Sequence, residues 1–362
     1  MSIIVQKYGG TSVATPERIR CVAQRVIATK RAGHQVVVVV SAMATETDRL
    51  LQLAKAVASG GHPSEVDVVA STGEMVAAAL TALALQAAGE KARSLLGFQL
   101  PILTDTSYAG ARILSVNSAP ILACFESGVI PVIAGFQGVD EKGQITTLGR
   151  GGSDTTAVAI AASLGGASCE IYTDVDGVYS ADPRICPKAV LLPEVSYRFM
   201  REAAGLGTKV MHDRSVSMGM RYQVPITVRN SFNDSHGTAI GNKETSVSCI
   251  ALDSNIARVS FFGSERIALI PKSSISGLAD DYKQQILFVD DEVAKVSVVG
   301  GPLTINPAYH LPTMVGNLND HDVPCLATSA GPLSLSFLVP KTSATDAVQL
   351  LHSLSHSHQE AI

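Results

Sequence analysis

The 362-residue sequence predicts an α/β domain built on a mostly parallel sheet with helices on both faces, followed by a smaller α+β domain. Three observations carry that expectation. Short runs rich in Val and Ile, at 3–8, 35–41, 102–104, 129–135, 170–173 and 226–228, alternate with Ala-rich helical stretches. The helices are expected at 16–31, 48–58, 74–88, 118–127, 154–164, 196–204 and 213–221, and strands separated by helices are the order that parallel crossover connections require. Residues 36–40 are all valine, as suits a strand buried on both faces. Near residue 233 the texture changes: Asn233-Asp234-Ser235-His236-Gly237 and Gly241-Asn242-Lys243-Glu244 form a polar linker, and strand-like runs dominate after it. The expected domains are therefore 1–240 and 245–362.

Bulk properties narrow the functional classes. Apolar residues make up 46% of the chain, enough for a large interior, while charged residues are 17% and the formal net charge is −4. No electrostatic footprint for nucleic acid or an anionic membrane follows from that balance, and small molecules are the expected partners. Cys21, Cys124, Cys169, Cys186, Cys249 and Cys325 show no CxxC or metal-ligand spacing, which suits buried thiols in a reducing compartment. The N-terminus lacks the pattern of a signal peptide, and the longest apolar run, 75–89, is interrupted by Thr81 and Gln86. A soluble, cytoplasmic protein is expected. His352, His356 and His358 near the C-terminus read as a frayed, solvated end with no metal role.

Candidate chemistry begins where a strand ends in Lys7-Tyr8-Gly9-Gly10-Thr11-Ser12 and a helix opens with Thr15 and Pro16, a good N-cap and first helical residue. Gly9 and Gly10 let the backbone approach a ligand, N–H groups at a helix start suit phosphate oxygens, and Lys7 could neutralise a transferring phosphoryl group. A second glycine-rich turn, Gly149-Arg150-Gly151-Gly152-Ser153-Asp154, again opens a helix. Arg150 supplies a planar fork suited to a carboxylate, and Asp154 stands in a first helical turn, where a carboxylate also complements the macrodipole without any function. Downstream, Tyr172-Thr173-Asp174-Val175-Asp176-Gly177 reads as a strand end and a turn.

In collinear order from Lys7 to Phe232 these segments resemble the aspartate kinase family. The match extends through Ser41-Ala42-Met43, Ser71-Thr72-Gly73-Glu74, Thr104-Asp105 with Ala111-Arg112, Gly135-Phe136-Gln137-Gly138, the 173–184 stretch, Thr208-Lys209-Val210-Met211-His212 and Val224-Pro225-Ile226-Thr227-Val228-Arg229. The resemblance implies the amino-acid kinase three-layer sandwich, ATP with Mg2+, and a role in amino-acid biosynthesis. Lys7 and Asp154 would be catalytic, with no protein metal site. Ser41, Thr47, Glu74, Arg150 and Ser153 would bind the amino acid. Lys7, Gly9, Gly10, Thr173, Asp174, Tyr179, Arg184 and Lys209 would surround ATP.

Three departures stand out. The stretch Ala44-Thr45-Glu46-Thr47-Asp48 has an acid where the family carries a lysine, Ala77 stands where a hydroxyl residue is usual, and Asp213 replaces a proline. The resemblance places the first two beside the substrate, so a modified aspartate analogue is an alternative substrate and a non-catalytic, ligand-binding relative an alternative role. The C-terminal part resembles a reduced pair of ACT units, one near 257–263 and one from Lys295 to Val339, with only 264–294 between them and no usual Pro-Gly turn at 263–266. A homodimer through this region is expected, burying strands such as 296–299 and 335–339, whereas inhibition by lysine or threonine is not.

Overall fold

The computed structural model describes residues 2–244, 246–261, 267–275 and 285–357. They form two compact units: Met1–Val178 with Pro193–Tyr197 and Val210–Lys243, and Tyr179–Leu192 with Arg198–Lys209 and Glu244–Ile362.

In chain order the elements up to Gly241 are β1 Ile3–Tyr8, α1 Pro16–Arg31, β2 Gln35–Val40, α2 Glu46–Val57, α3 Pro63–Ala87, β3 Ala92–Leu95, β4 Ile102–Thr104, β5 Ile113–Val116, α4 Ala119–Glu126, β6 Ile130–Ala134, β7 Gln137–Val139, β8 Ile145–Thr147, α5 Gly152–Ser163, β9 Ser168–Thr173, β10 Glu194–Ser196, α6 Tyr197–Gly205, α7 Asp213–Tyr222, β11 Ile226–Asn230 and β12 Thr238–Gly241. The main sheet runs β10-β12-β11-β9-β1-β2-β6-β3, parallel throughout except for the β11–β12 pair. A smaller sheet, β5-β4-β7-β8, stands beside it.

Alternation along the central strands explains the layering. Tyr8, Val36, Val38, Val40, Val132 and Ala134 share one buried cluster with Ile19, Val22, Val26 of α1 and Ala77, Ala78, Leu85 of α3. The intervening residues Val5, Lys7, Val37 and Val39 point to the other face, against which α5 packs. α1 starts where its sequence says it should, with the Thr15 hydroxyl accepting from Arg18 N–H and Pro16 in its first turn.

α3 begins at Pro63, a full eleven residues before the expected 74. Asp67, Ser71 and Glu74 interrupt its apolar pattern, yet all three are buried, so their face is interior without being hydrophobic. By length and composition α3 could cross a membrane, but half of its most apolar window is buried within this fold. The short strands β3, β5, β7, β8, β10 and β12 were not expected, being brief and partly polar. Among the cysteines, Cys124, Cys169, Cys186 and Cys249 are buried, while Cys21 is exposed and Cys325 half-buried, so burial accounts for four of the six; none forms a disulfide.

The second unit contains β13 Ser248–Asp253, β14 Ile256–Phe261, β15 Ile267–Pro271, β16 Ile286–Asp290, β17 Val293–Gly300, α8 Pro307–Asp320, β18 Ala327–Ala330, β19 Ser334–Pro340 and α9 Ala344–Ser357. Antiparallel sheets β13-β17-β19-β18 and β15-β14-β16 result. Val296, Val298, Leu335, Phe337 and Val339 close one core with Met314 and Leu318 of α8 and Ala347, Val348 and Leu351 of α9. The apolar strands expected to be buried in a dimer are thus already covered within the unit. The stretch 263–266, where a family turn was expected to be missing, lies outside the described residues.

His352 also differs from expectation. His352 is buried in α9, and its Nε2 lies 2.8 Å from the Ser180 hydroxyl, so this part is a docked helix and not a frayed end. His358 lies outside the described residues. Because Leu351 is fully buried in the same cluster, Leu351→Ala should destabilise the second unit by about 2–5 kcal/mol. Denaturant unfolding checks this, and a loss below about 1 kcal/mol would contradict the docking of α9.

Candidate active site

Lys7 lies at the C-terminal end of β1, between Val39 of β2 and Ile171 of β9. Ligands in open α/β sheets gather at such strand ends. Its Nζ stands 2.6 Å from Asp154 Oδ1, and both side chains are 11% exposed, so solvent screens the pair weakly. The contact is more electrostatic than directional, since Oδ1 accepts no well-aligned hydrogen bond.

Two backbone approaches make the pairing possible. Gly10 packs so tightly on the 42–44 turn that a Cβ there would stand 2.8 Å from Ala42 O. Gly151 caps α5 at φ 69°, and a Cβ would meet His212 Cβ at 2.3 Å, so only glycine fits in both space and conformation. The first turn of α5, Gly152, Ser153 and Asp154, is consequently buried and lines the site.

Lys7, Gly10, Ser41, Thr47, Glu74, Arg150, Ser153 and Asp154 together line a cleft of about 560 Å³. Its polar lining sets it apart from a smaller, apolar groove of about 320 Å³ between α1 and α3. Glu74 is 3% exposed; its Oε1 accepts from Ala42 N–H at 3.0 Å, but its buried Oε2 has no partner among the described residues. Burial pushes its carboxyl up to about 7, with partial relief from the Ala42 N–H and the Lys7 charge. An unpaired buried carboxylate oxygen is costly, and a cationic ligand group would satisfy it. Arg150 is exposed at the rim and its guanidinium has no partner among the described residues.

Of the two departures expected to border the substrate, the first lines this cleft through Ala44, Thr47 and Asp48, whereas Glu46 and Ala77 do not line it. The Glu46 carboxylate turns onto Arg49, with contacts of 2.6 and 2.8 Å that hold it below the usual carboxylate range. Its charge is therefore met locally. Ala77 lies three residues after Glu74 on α3 and is fully buried in the α1–α3 core. Asp213 stands in the first turn of α7, where an acid complements the helix dipole.

The expected nucleotide residues are distributed differently. Gly9 donates its N–H to Tyr172 O, and a Cβ on it would stand 3.6 Å from Lys7 Nζ, beside but not lining the cleft. Thr173 and the exposed Asp174 end β9 in the first unit, where the Thr173 hydroxyl donates to Asp174 at 3.3 Å. Tyr179, Arg184 and Lys209 belong to the second unit. There Tyr179 bridges to Leu191, and the Arg184 guanidinium forks onto Asp182 at 2.6 and 3.0 Å. Arg184, with a smaller contribution from the exposed Lys209, holds Asp182 below its ordinary range.

Sequence reasoning missed a set of supports. Ala44, Ala109 and Phe136 have φ of 41°, 61° and 68° and all line the cleft. Each left-handed N–H is anchored: Ala44 on Gly10 O, Ala109 on the Asp67 carboxylate, and Phe136 on the Thr156 hydroxyl. Such conformations persist only where the surroundings fix them, and they concentrate at functional sites. No pattern in the sequence marks an alanine or phenylalanine for that geometry. Among the described residues no three His, Cys, Asp or Glu side chains converge on a point that would hold a metal ion.

Residues 2–230 match the model of the amino acid kinase family. The chain is 47% identical over 273 residues to an aspartokinase of Geobacillus stearothermophilus, a match covering 74% of this chain and 67% of that one. Curated relatives at about half identity are matched over 57–67% of their length. Aspartokinase 2 of Bacillus subtilis is 37% identical, with 97% of each chain covered. The fold superposes on E. coli aspartokinase III in complex with aspartate and ADP with a TM-score of 0.83 at 22% identity, over 97% of this chain and 99% of that one. The chain belongs to the amino acid kinase family and, within it, to the aspartokinases.

Proposed function

We propose that this protein transfers the γ-phosphoryl group of ATP to the side-chain carboxylate of L-aspartate, giving 4-phospho-L-aspartate. The observation that carries the reading is one cleft with two unspent, opposite recognition groups: the partnerless Oε2 of Glu74 and the free guanidinium of Arg150. Together they match the ammonium and α-carboxylate of an amino acid. Ser41, Thr47 and Ser153 add hydroxyls to the same wall.

The acceptor is already an anion at neutral pH, so the reaction needs no general base. A side-chain oxygen attacks the γ-phosphorus, the bond from that phosphorus to the bridging oxygen breaks, and ADP leaves with the electron pair. Lys7 neutralises charge as it spreads over the transferring group, Asp154 holds the Lys7 ammonium in place, and the N–H groups opening α5 face the phosphates. Gly9, Gly10, Thr173 and Asp174 are the proposed nucleotide residues of the first unit, and Tyr179, Arg184 and Lys209 those of the second. Mg2+ would arrive on the triphosphate, where it needs only one or two carboxylates and supplies charge neutralisation. Asp154 and Asp174 are the candidates. A homodimer through the second unit is proposed to use a sheet edge such as the exposed β18, since β17 and β19 are interior.

ATP-dependent hydroxamate formation with aspartate, its hydroxylated and methylated analogues and glutamate tests the function directly. Aspartate should be preferred; a preferred analogue, or no product at all, would favour the specialised or non-catalytic alternatives. Lys7→Ala should lower kcat by roughly two to three orders of magnitude with aspartate binding nearly intact. Arg150→Lys should raise the KM for aspartate strongly and that for ATP little, because a point charge cannot reproduce a two-pronged contact.

Glu74 gives a pH prediction. It must be ionised to receive an ammonium, and its carboxyl titrates near 7 in the free protein. Aspartate binding should therefore strengthen as pH rises to about 7 and then level, releasing a proton at pH 6 and none at pH 8.5. Calorimetry in buffers of different ionisation enthalpy reads this, and pH-independent binding would remove Glu74 from the ammonium site. Without ligand the sign reverses. The folded state retains the proton between about 4.5 and about 7, so stability falls with pH across that window, and Glu74→Gln abolishes that slope.

A further inference from the structure

We propose that Asp67 and Arg214 are positioning residues that hold the Arg150 loop in the shape that receives the substrate's carboxylate. The inference rests on the aspartate reading above.

Asp67, on α3, is 1% exposed. Its Oδ2 accepts from Thr147 N–H at 2.7 Å, its Oδ1 from the Thr147 hydroxyl at 2.8 Å, and both oxygens share Ala109 N–H at 3.0 Å. Arg214, on α7, donates through Nη1 to Leu148 O and through Nη2 to Ala111 O, both at 2.8 Å. The acid thus takes N–H groups at 109 and 147, and the guanidinium takes carbonyls at 111 and 148. Both tie together the same two segments, which are also joined by Ala111 N–H on Thr147 O at 2.9 Å.

The tied strand end leads directly into Gly149 and Arg150. Gly149 has φ 74° and lies so close to the tied segment that a Cβ on it would stand 2.8 Å from Ala109 O. Ala109 itself is left-handed, a conformation that its N–H bond to Asp67 supports. Asp67 and Arg214 are therefore placed to determine where Arg150 stands. Charge matters on both sides. Hydrogen bonds to ionised partners are the stronger kind, and an amide in place of Asp67 would offer one acceptor oxygen and turn an NH2 donor toward groups that are themselves donors.

The tests are Asp67→Asn, Arg214→Lys, and the pair Thr147→Val and Thr147→Ser, assayed by hydroxamate formation with both substrates varied. Asp67→Asn and Arg214→Lys should each raise the KM for aspartate by roughly ten- to a hundredfold, as a small misplacement of a binding group does, with the KM for ATP within about twofold of wild type. Thr147→Val should raise the KM for aspartate, whereas Thr147→Ser, which keeps the hydroxyl bond to Asp67, should restore it. The double variant Asp67→Asn/Arg214→Lys should lose less than the product of the singles, because both act through one loop.

An unchanged KM for aspartate in both single variants would overturn the proposal. So would an equal rise in both KM values, which marks general deformation. Should Asp67→Asn not fold, the threonine pair decides: equal effects of Val and Ser would overturn the role of Asp67. A wild-type protein that makes no product from aspartate would overturn the substrate reading itself, whereas an active wild type with unaltered variants would overturn the positioning role alone.

Discussion

The 2.6 Å pair between Lys7 and Asp154 is the constraint around which the first unit is organised. Lys7 is largely buried at the end of a central parallel strand, and removing Asp154 would take away the carboxylate that its ammonium touches. Asp154 can reach it only if α5 starts beside β1. That start in turn demands the glycine turn at 149–152, with Gly151 in a conformation and a space closed to any side chain. The same turn presents Arg150 and the first turn of α5 to the cleft. One ion pair therefore fixes the strand end, the helix start and the loop between them.

The opposite wall is built by α3, and its polar face explains why the helix is so long. Asp67, Ser71 and Glu74 are buried on it, each at a different kind of task. Asp67 is fully used by backbone and hydroxyl donors from the 109 turn and the end of β8. Ser71 donates back to Val68 O within the helix. Glu74, which lines the cleft, is only half used: one oxygen accepts from Ala42 N–H and the other is buried with no partner among the described residues. Satisfied polar groups give the wall its shape, and the unsatisfied one leaves it a demand that a ligand can meet.

Much of this arrangement was legible in the sequence. The valine run at 36–40 and the capped start of α1 follow from local rules, and the two glycine turns bearing Lys7 and Asp154 announce their chemistry by residue type and order. What was hidden has physical reasons. The first turns of α3 look too polar to be buried, because the groups that satisfy them come from loops about 42 and 80 residues away. The roles of Ala109 and Phe136 depend on φ, which no side-chain pattern declares for these residue types. Glu46 looked like a reversal of charge at the substrate, yet Arg49, three residues along the same helix, takes it up. His352 looked like part of a solvated tail, but Ser180, far away in sequence, gives its ring a buried partner.

If the phosphoryl group moves at the Lys7–Asp154 pair, loss of the Asp154 charge stops the chemical step, which a single-turnover experiment reads. With Asp154→Asn saturated with ATP and aspartate, rapid quenching should detect almost no acyl phosphate, while calorimetry still finds both ligands bound, since the variant keeps the size of the side chain and loses the charge that holds Lys7. Acyl phosphate formed in Asp154→Asn at a rate near that of the wild type would place phosphoryl transfer away from this pair.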